Sequence, residues 1–232
     1  MSTDPVRRKI AAMAVETATT GRRAISRDME DVGPRLRGRR EEFGVSLREL
    51  ARRLDISPSA LSQIETGKSR PSVGTLYAIV TELLMSMDVL FGSRLDGADA
   101  PAAAPAPSDP VQRADTRTAV QLESGVRWER LTAHAEADVD FLHVVYDVGG
   151  ASSSSGELMR HSGREYGLVL TGSLDVTVGF ETYHLGPGDS ISFDSTMPHR
   201  LTNAGDTPAT GVWFVTGNRR GETFDGDTAE LA

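Results

Sequence analysis

Between Ser46 and Pro71 the chain places two helix starts eleven residues apart, which constrains the stretch to two short helices joined by a tight turn. Ser46 suits an N-cap, and Glu49 stands three residues on, so each can satisfy the other's orphan backbone N–H in a capping box. Leu47, Leu50, Ala51 and Leu54 follow at helical spacing on one face, and Asp55-Ile56 interrupts them. Ser57 is a second N-cap, with Pro58 at the first helical position, where its missing N–H costs nothing. Ala60, Leu61 and Ile64 form the buried side of this second helix, Ser59, Ser62, Gln63 and Thr66 are left outside, and Gly67 stops it. Helices this short need bracing. The second one exposes small polar side chains where a solvated helix usually carries Glu and Lys, which fits it to enter a DNA major groove and read base edges.

The bracing is written on either side. Val32, Leu36 and Phe43 predict one face of a preceding helix, with Arg35, Arg37, Arg39 and Arg40 around the remainder and Gly44 closing it. Ser72 opens a fourth helix whose stripe is Val73, Leu76, Ile79, Val80 and Leu83, and Met87 to Phe91 gives a short fifth. The expectation is a five-helix unit over residues 32–93 with short connections.

Leu50-Ala51-Arg52-Arg53-Leu54, then Ser57, then Ser62-Gln63-Ile64-Glu65-Thr66-Gly67 leading to Pro71-Ser72, resembles the helix-turn-helix domain of the lambdoid repressor and Cro type, the XRE family. The resemblance covers about a quarter of the chain. It implies a homodimer on a palindromic double-stranded operator, with one recognition helix in each major groove. It also implies DNA contacts from Ser46, Ser57, Pro58, Ser59, Ser62, Gln63, Lys68 and Arg70. Gln63 is the best base reader, since its amide both donates to and accepts from an adenine edge. Ser46 suits a phosphate oxygen, and Lys68 and Arg70 suit the backbone. Glu65 is expected to make an internal contact instead.

Asp96 to Pro110, rich in Ala, Pro and Asp without apolar periodicity, reads as a semi-extended linker within residues 94–116. Charge divides across it. Residues 1–95 hold 16 Lys and Arg against 12 Asp and Glu, a net +4, while residues 96–232 hold 9 against 21, a net −12. One half is suited to approach phosphate and the other is not. Residues 1–31 read as a basic, disordered arm and 219–232 as an acidic tail. With no Cys, disulfides, thiolate metal sites and cysteine nucleophiles are excluded. The chain shows no apolar run near the roughly 20 residues of a membrane span and no apolar core of a secretory signal, so a cytoplasmic protein without membrane contacts is expected.

Beyond Val120 the texture changes to strands. Val126–Leu131, Val139–Val148, Tyr166–Leu170, Leu174–Val178, Ser190–Phe193 and Gly211–Val215 are short β-rich runs broken by Gly149-Gly150, Gly172, Gly179, Gly186-Pro187-Gly188 and Asn203-Ala204-Gly205. That pattern predicts an all-β sandwich or barrel over residues 117–218, and a two-domain α + β chain.

Met159-Arg160-His161-Ser162-Gly163-Arg164-Glu165 with Gly172 resembles the first motif of the cupins, and Gly186-Pro187-Gly188-Asp189 with Pro198-His199 and Asn203 resembles the second. The resemblance implies a double-stranded β-helix, a jelly roll with a central pocket. The first ligand His of the cupin motif is replaced by Met159. His161, Glu165 and His199 remain, two imidazoles and a carboxylate that could hold a divalent ion such as Fe, Mn, Zn or Ni as a facial triad. The other reading is a metal-free pocket of Met159, His161, Glu165 and His199 that binds an organic effector. Inward strand alternation puts Met159 and His161 on one face with Arg160 opposite, and His199 with Leu201 against Arg200. Tyr166, Phe193, Trp213 and Phe214 are expected to pack in the barrel or an interface rather than to touch a ligand, although any of them that points inward could line the pocket, and His134, His143 and His184 match neither motif.

Two functions fit. One is a sequence-specific DNA-binding regulator, not an enzyme, whose barrel senses a small molecule. The other is a non-haem iron oxygenase or epoxidase, by resemblance to helix-turn-helix–cupin chains of the hydroxypropylphosphonate epoxidase kind, with His161, Glu165 and His199 on iron.

Overall fold

The structure is a computed structural model that describes residues 32–85, 87–91, 110–134, 136 and 139–217. The expected basic arm at 1–31, residues 94–109 of the linker and the tail at 219–232 lie outside the described residues.

Helices occupy the first part: α1 over residues 32–42, α2 Leu47–Arg53, α3 Pro58–Glu65 and α4 Val73–Glu82. The five-helix expectation needs correction, because Met87–Phe91 is a 3-10 turn and the described residues hold four α-helices. Five residues offer too few i→i+4 bonds to hold an α-helix, so the tighter turn wins. Ser46, Ser57 and Ser72 cap α2, α3 and α4, each side-chain oxygen accepting from the backbone N–H three residues on. Each cap contributes about 1 kcal/mol. The capping box is only half made. Glu49 turns its carboxylate to Arg52 and Arg53, at 2.8 and 2.9 Å, and charge–charge attraction outcompetes the return bond to Ser46.

Val32, Leu36, Leu50, Leu61, Leu76 and Ile79 are fully buried where the helices meet, each burial contributing about 1.5–3 kcal/mol. Phe43 is not among them. It falls past the end of α1, is 38% exposed, and lies under the Arg39 guanidinium at 4.8 Å. Arg40 leaves the solvated face assigned to it and is buried against Glu65, donating from Nε and Nη2 at 2.6 and 2.9 Å, with a third bond to the Val45 carbonyl at 3.0 Å. Glu65 thus makes the internal contact expected of it.

Nine strands follow among the described residues: β1 Ala119–Gln121, β2 Val126–Arg130, β3 Val139–Tyr146, β4 Arg164–Thr171, β5 Leu174–Val178, β6 Glu181–Leu185, β7 Ser190–Asp194, β8 His199–Thr202 and β9 Ala209–Thr216. Six form an antiparallel sheet in the order β1-β2-β3-β9-β4-β7, and three form a second, β6-β5-β8. Period-two burial along β4 and β9 turns Glu165, Gly167 and Val169, and Ala209, Gly211, Trp213 and Val215, into the interior. Gly172, at φ +69°, makes the β4–β5 turn, where a Cβ would fall 2.6 Å from the Pro208 carbonyl. Asn203 belongs to the frame rather than the pocket. Its amide donates to the Tyr146, Asp147 and Thr207 carbonyls at 3.0, 3.1 and 2.8 Å.

Among the described residues no helix is long and apolar enough to cross a membrane.

Candidate functional site

Two surfaces carry chemistry. The first is α3. Its buried side is Leu61, Ile64 and Glu65. Pro58, Ser59 and Gln63 are exposed on the helix and Ser62 is half-buried, while Ser46 and Ser57 are exposed at the N-termini of α2 and α3. Lys68 and Arg70, just past the helix, are exposed too. Lys68 and Ser69 donate their backbone N–H groups to the Gln63 carbonyl at 2.8 and 3.2 Å, which pins the turn that carries these cations. All eight residues expected to meet DNA therefore lie on or beside the α2–α3 pair, and none of them is a carboxylate.

The second surface is inside the barrel. Glu165 comes from β4 and His199 from β8. His161 comes from the segment before β4, held by its N–H to the Ser195 carbonyl at 3.0 Å. The one ligand atom that each offers lies within 4.8 Å of the others. All three side chains are buried, at 7% exposure for His161, 3% for Glu165 and 0% for His199.

The hydrogen bonds around the triad define the tautomers of its two rings. His161 Nδ1 lies 3.0 Å from the Ser162 carbonyl and His199 Nδ1 lies 2.8 Å from the Met197 carbonyl. A carbonyl only accepts, so both Nδ1 atoms carry hydrogen. In neutral rings each Nε2 then presents a lone pair. Those lone pairs face Glu165 Oε1 at 2.8 and 3.0 Å, and none of the three atoms has a donor elsewhere. Three acceptors converging in a buried place need a cation between them, either a metal ion or a proton on a ring. Where protonated rings rather than a metal supply the cation, burial opposes ionisation of Glu165, but hydrogen bonds and charge from His161 and His199 outweigh it and bring its carboxyl down to about 2. Burial likewise disfavours the His199 imidazolium, and Glu165 reverses this and raises its pKa. The residues fit a divalent ion of intermediate hardness: two imidazole nitrogens, one carboxylate oxygen and hydrogen-bonded outer atoms on each.

Trp213 is one of the inward aromatics that the sequence allows to line the pocket, and the structure adds a hydrogen bond that the sequence does not show. Its Nε1 donates to Glu165 Oε2 at 2.7 Å, leaving Oε1 to the histidines. Opposite it in the β4–β9 register stands Gly167, where a Cβ would fall 2.2 Å from the indole. The missing side chain makes room for the ring that orients the carboxylate. Met159, in place of a third histidine, is half-buried and pairs with His199 through an isolated bridge.

Sequence reasoning missed Tyr77 altogether. From α4 its ring stacks on His161, with centroids 4.0 Å apart and planes 8° from parallel, and meets Trp128 edge-on at 5.7 Å. Its only sequence signal is the spacing to Val73, one turn earlier on α4. Beneath the ring lies a cavity of about 20 Å³, bounded by Tyr77, Trp128, Tyr146, Met159, Glu165 and Trp213 among others.

Residues 36–90 match the family model described as helix-turn-helix, and residues 142–215 the one described as cupin domain. The chain is 26% identical over 171 residues to the HTH-type transcriptional regulator PuuR of Escherichia coli K12, covering 74% of this chain and 86% of that one. It is 27% identical over 169 residues to the HTH-type transcriptional regulator SutR of the same organism, covering 72% and 84%. Among solved structures, an HTH_3 family transcriptional regulator from Vibrio cholerae has the same fold, with a TM-score of 0.58 at 21% identity over 82% of this chain and 97% of that one.

Proposed function

We propose that this chain, in which a helix-turn-helix domain precedes a cupin domain, is a sequence-specific DNA-binding transcriptional regulator of the XRE type whose barrel senses a small molecule. The observation that carries the reading is the outer face of α3, where Ser59, Ser62 and Gln63 stand beside Ser57 with Lys68 and Arg70 behind them. Gln63 reads a base edge, the serines accept or donate to bases and phosphates, and the cations take the backbone. The names of the regulators to which the chain is similar support the same reading.

A homodimer on a palindromic operator completes the proposal. The outer face of the larger sheet supports it, because Tyr166, Leu168 and Leu170 on β4 are 44%, 39% and 44% exposed in a row. An apolar sheet face of this kind suits an isologous contact with a second copy. In the barrel, His161, Glu165 and His199 would hold Fe, Mn, Zn or Ni, and such an ion would supply a Lewis-acidic point on which an effector oxygen or nitrogen docks. Trp213 and the Ser162 and Met197 carbonyls orient the three side chains. The domains of the proposal are 32–93 for DNA and 117–218 for sensing, with 94–116 between them.

A gel-shift on DNA flanking the gene tests the assignment. Specific complexes that weaken steeply with salt are expected, since neutralised phosphates release counterions. A chain that binds all fragments alike, or none, contradicts it. A second reading rests on the triad itself, whose donor set also suits an iron oxygenase. Stoichiometric iron with substrate-dependent oxygen uptake would favour that reading over a sensor.

A further inference from the structure

Helix α4 is buried on two sides. Leu76, Ile79, Val80 and Leu83 face the helical core, while Val73 and Tyr77, one turn apart, line the barrel cavity. The docking is closely made along its first turn. The Gly74 N–H points to the Ser152 carbonyl at 3.4 Å, and the Pro71 carbonyl accepts from the Glu123 N–H at 3.0 Å. A Cβ on Gly74 would sit 3.3 Å from that of Met159. At the centre of this contact the Tyr77 ring, 3% exposed, lies flat on a triad imidazole.

The cavity left beneath Tyr77, about 20 Å³, is far smaller than the roughly 300–1,000 Å³ of a small-molecule pocket. An organic effector needs several times that space. The walls formed by β-strands are held by ladder hydrogen bonds, whereas Tyr77 is held by stacking and by the docking of one helix. The yielding wall is therefore α4, and α4 shares its core with α3.

We infer that Tyr77 is the lid of the sensor pocket, and that any ligand larger than water enters only when α4 lifts from the barrel. Occupancy of the pocket and the docked arrangement of the DNA-reading helices then exclude one another. This rests on the regulator reading above and names its mechanism of control: the effector competes with the DNA-binding domain for the same aromatic slot. A ligand with a flat, ring-sized apolar body best replaces Tyr77 between His161 and Trp128.

The chain provides its own reporter, since its two tryptophans, Trp128 and Trp213, both line the cavity and it has no cysteine. Acrylamide, larger than water, quenches an indole on contact and serves as the probe. The double variant G74C/M159C places two Cβ atoms 3.3 Å apart, slightly under the roughly 3.5–4.5 Å of a relaxed disulfide, so a small outward shift lets oxidation lock α4 onto the barrel. Acrylamide quenching is expected in the reduced double variant and lost in the oxidised one. Tyr77→Ala should raise quenching above that of the parent chain, and Tyr77→Phe, which keeps the ring, should not. Equal quenching in the oxidised and reduced forms would overturn the lid. If Tyr77→Ala does not fold, the redox pair decides alone. Specific DNA binding of the parent chain is measured on the same preparations. Its absence alongside redox-gated quenching would sink the regulator reading and leave the lid standing.

Discussion

Trp213 donates its indole N–H to Glu165 Oε2 at 2.7 Å, and that bond decides which carboxylate oxygen faces His161 and His199. Trp213→Phe keeps most of the packing and frees the carboxylate to rotate. On the proposed metal site this should cost about 10–100-fold in affinity for Zn or Co ions, read by chelator competition. Gly167→Ala should match it, because the new methyl displaces the indole it would meet at 2.2 Å. Unchanged affinity in both variants would remove Trp213 from the site.

Arg40 and Glu65 are the buried ion pair of the helical domain. Arg40→Met leaves the Glu65 carboxylate buried without a partner, and should destabilise that domain by about 3–5 kcal/mol in urea unfolding followed by far-UV circular dichroism. Adding Glu65→Leu should restore much of the loss. A single variant as stable as the parent would show that the pair is not closed in solution.

Gln63 and Lys68 are both exposed beside α3, but their roles differ. Gln63→Ala should relax preference at one base pair by about 1–3 kcal/mol and leave ligand binding in the barrel intact. Lys68→Ala should weaken binding to all sequences and reduce the salt slope by about one. Exchange of these two phenotypes would mean that α3 lies in the groove in another orientation.

Glu129 on β2 accepts from His143 at 3.1 Å and has Arg117 and Arg127 close by. The His143 hydrogen bond lowers its pKa, burial opposes this, and the arginines add to the lowering. Its folded pKa lies below the unfolded value of about 4.3, so its stabilisation is present above that value and is lost as pH falls through and below it. Melting temperatures taken from neutral to acid pH should decline less steeply for Glu129→Gln than for the parent. Identical slopes would show that the cluster contributes no linkage.

What could be read in advance follows the range of the interaction. Ser46, Ser57, Pro58 and Gly67 announce α2 and α3 because caps and turns are decided within four residues. His161, Glu165 and His199 were legible as a donor set because their spacing matches a family pattern, not because the sequence shows them meeting. Strand β6 was not legible. Four of its five residues are exposed, so it lacks the apolar alternation of a half-buried strand. Tyr77 on His161 joins residues 84 positions apart in different domains, and no local pattern encodes such a contact. The Trp213 hydrogen bond was not legible for a related reason. An indole's packing role is visible in its composition, but the partner of its N–H depends on the β4–β9 register and on the space Gly167 leaves.

The central claim is that α3 reads a particular DNA sequence. Selection of bound duplexes from a random-sequence pool by the full chain tests it most directly. The account predicts enrichment of one two-fold-symmetric site, bound about a thousandfold or more tighter than scrambled DNA at physiological salt. A pool that remains random after repeated selection would contradict it.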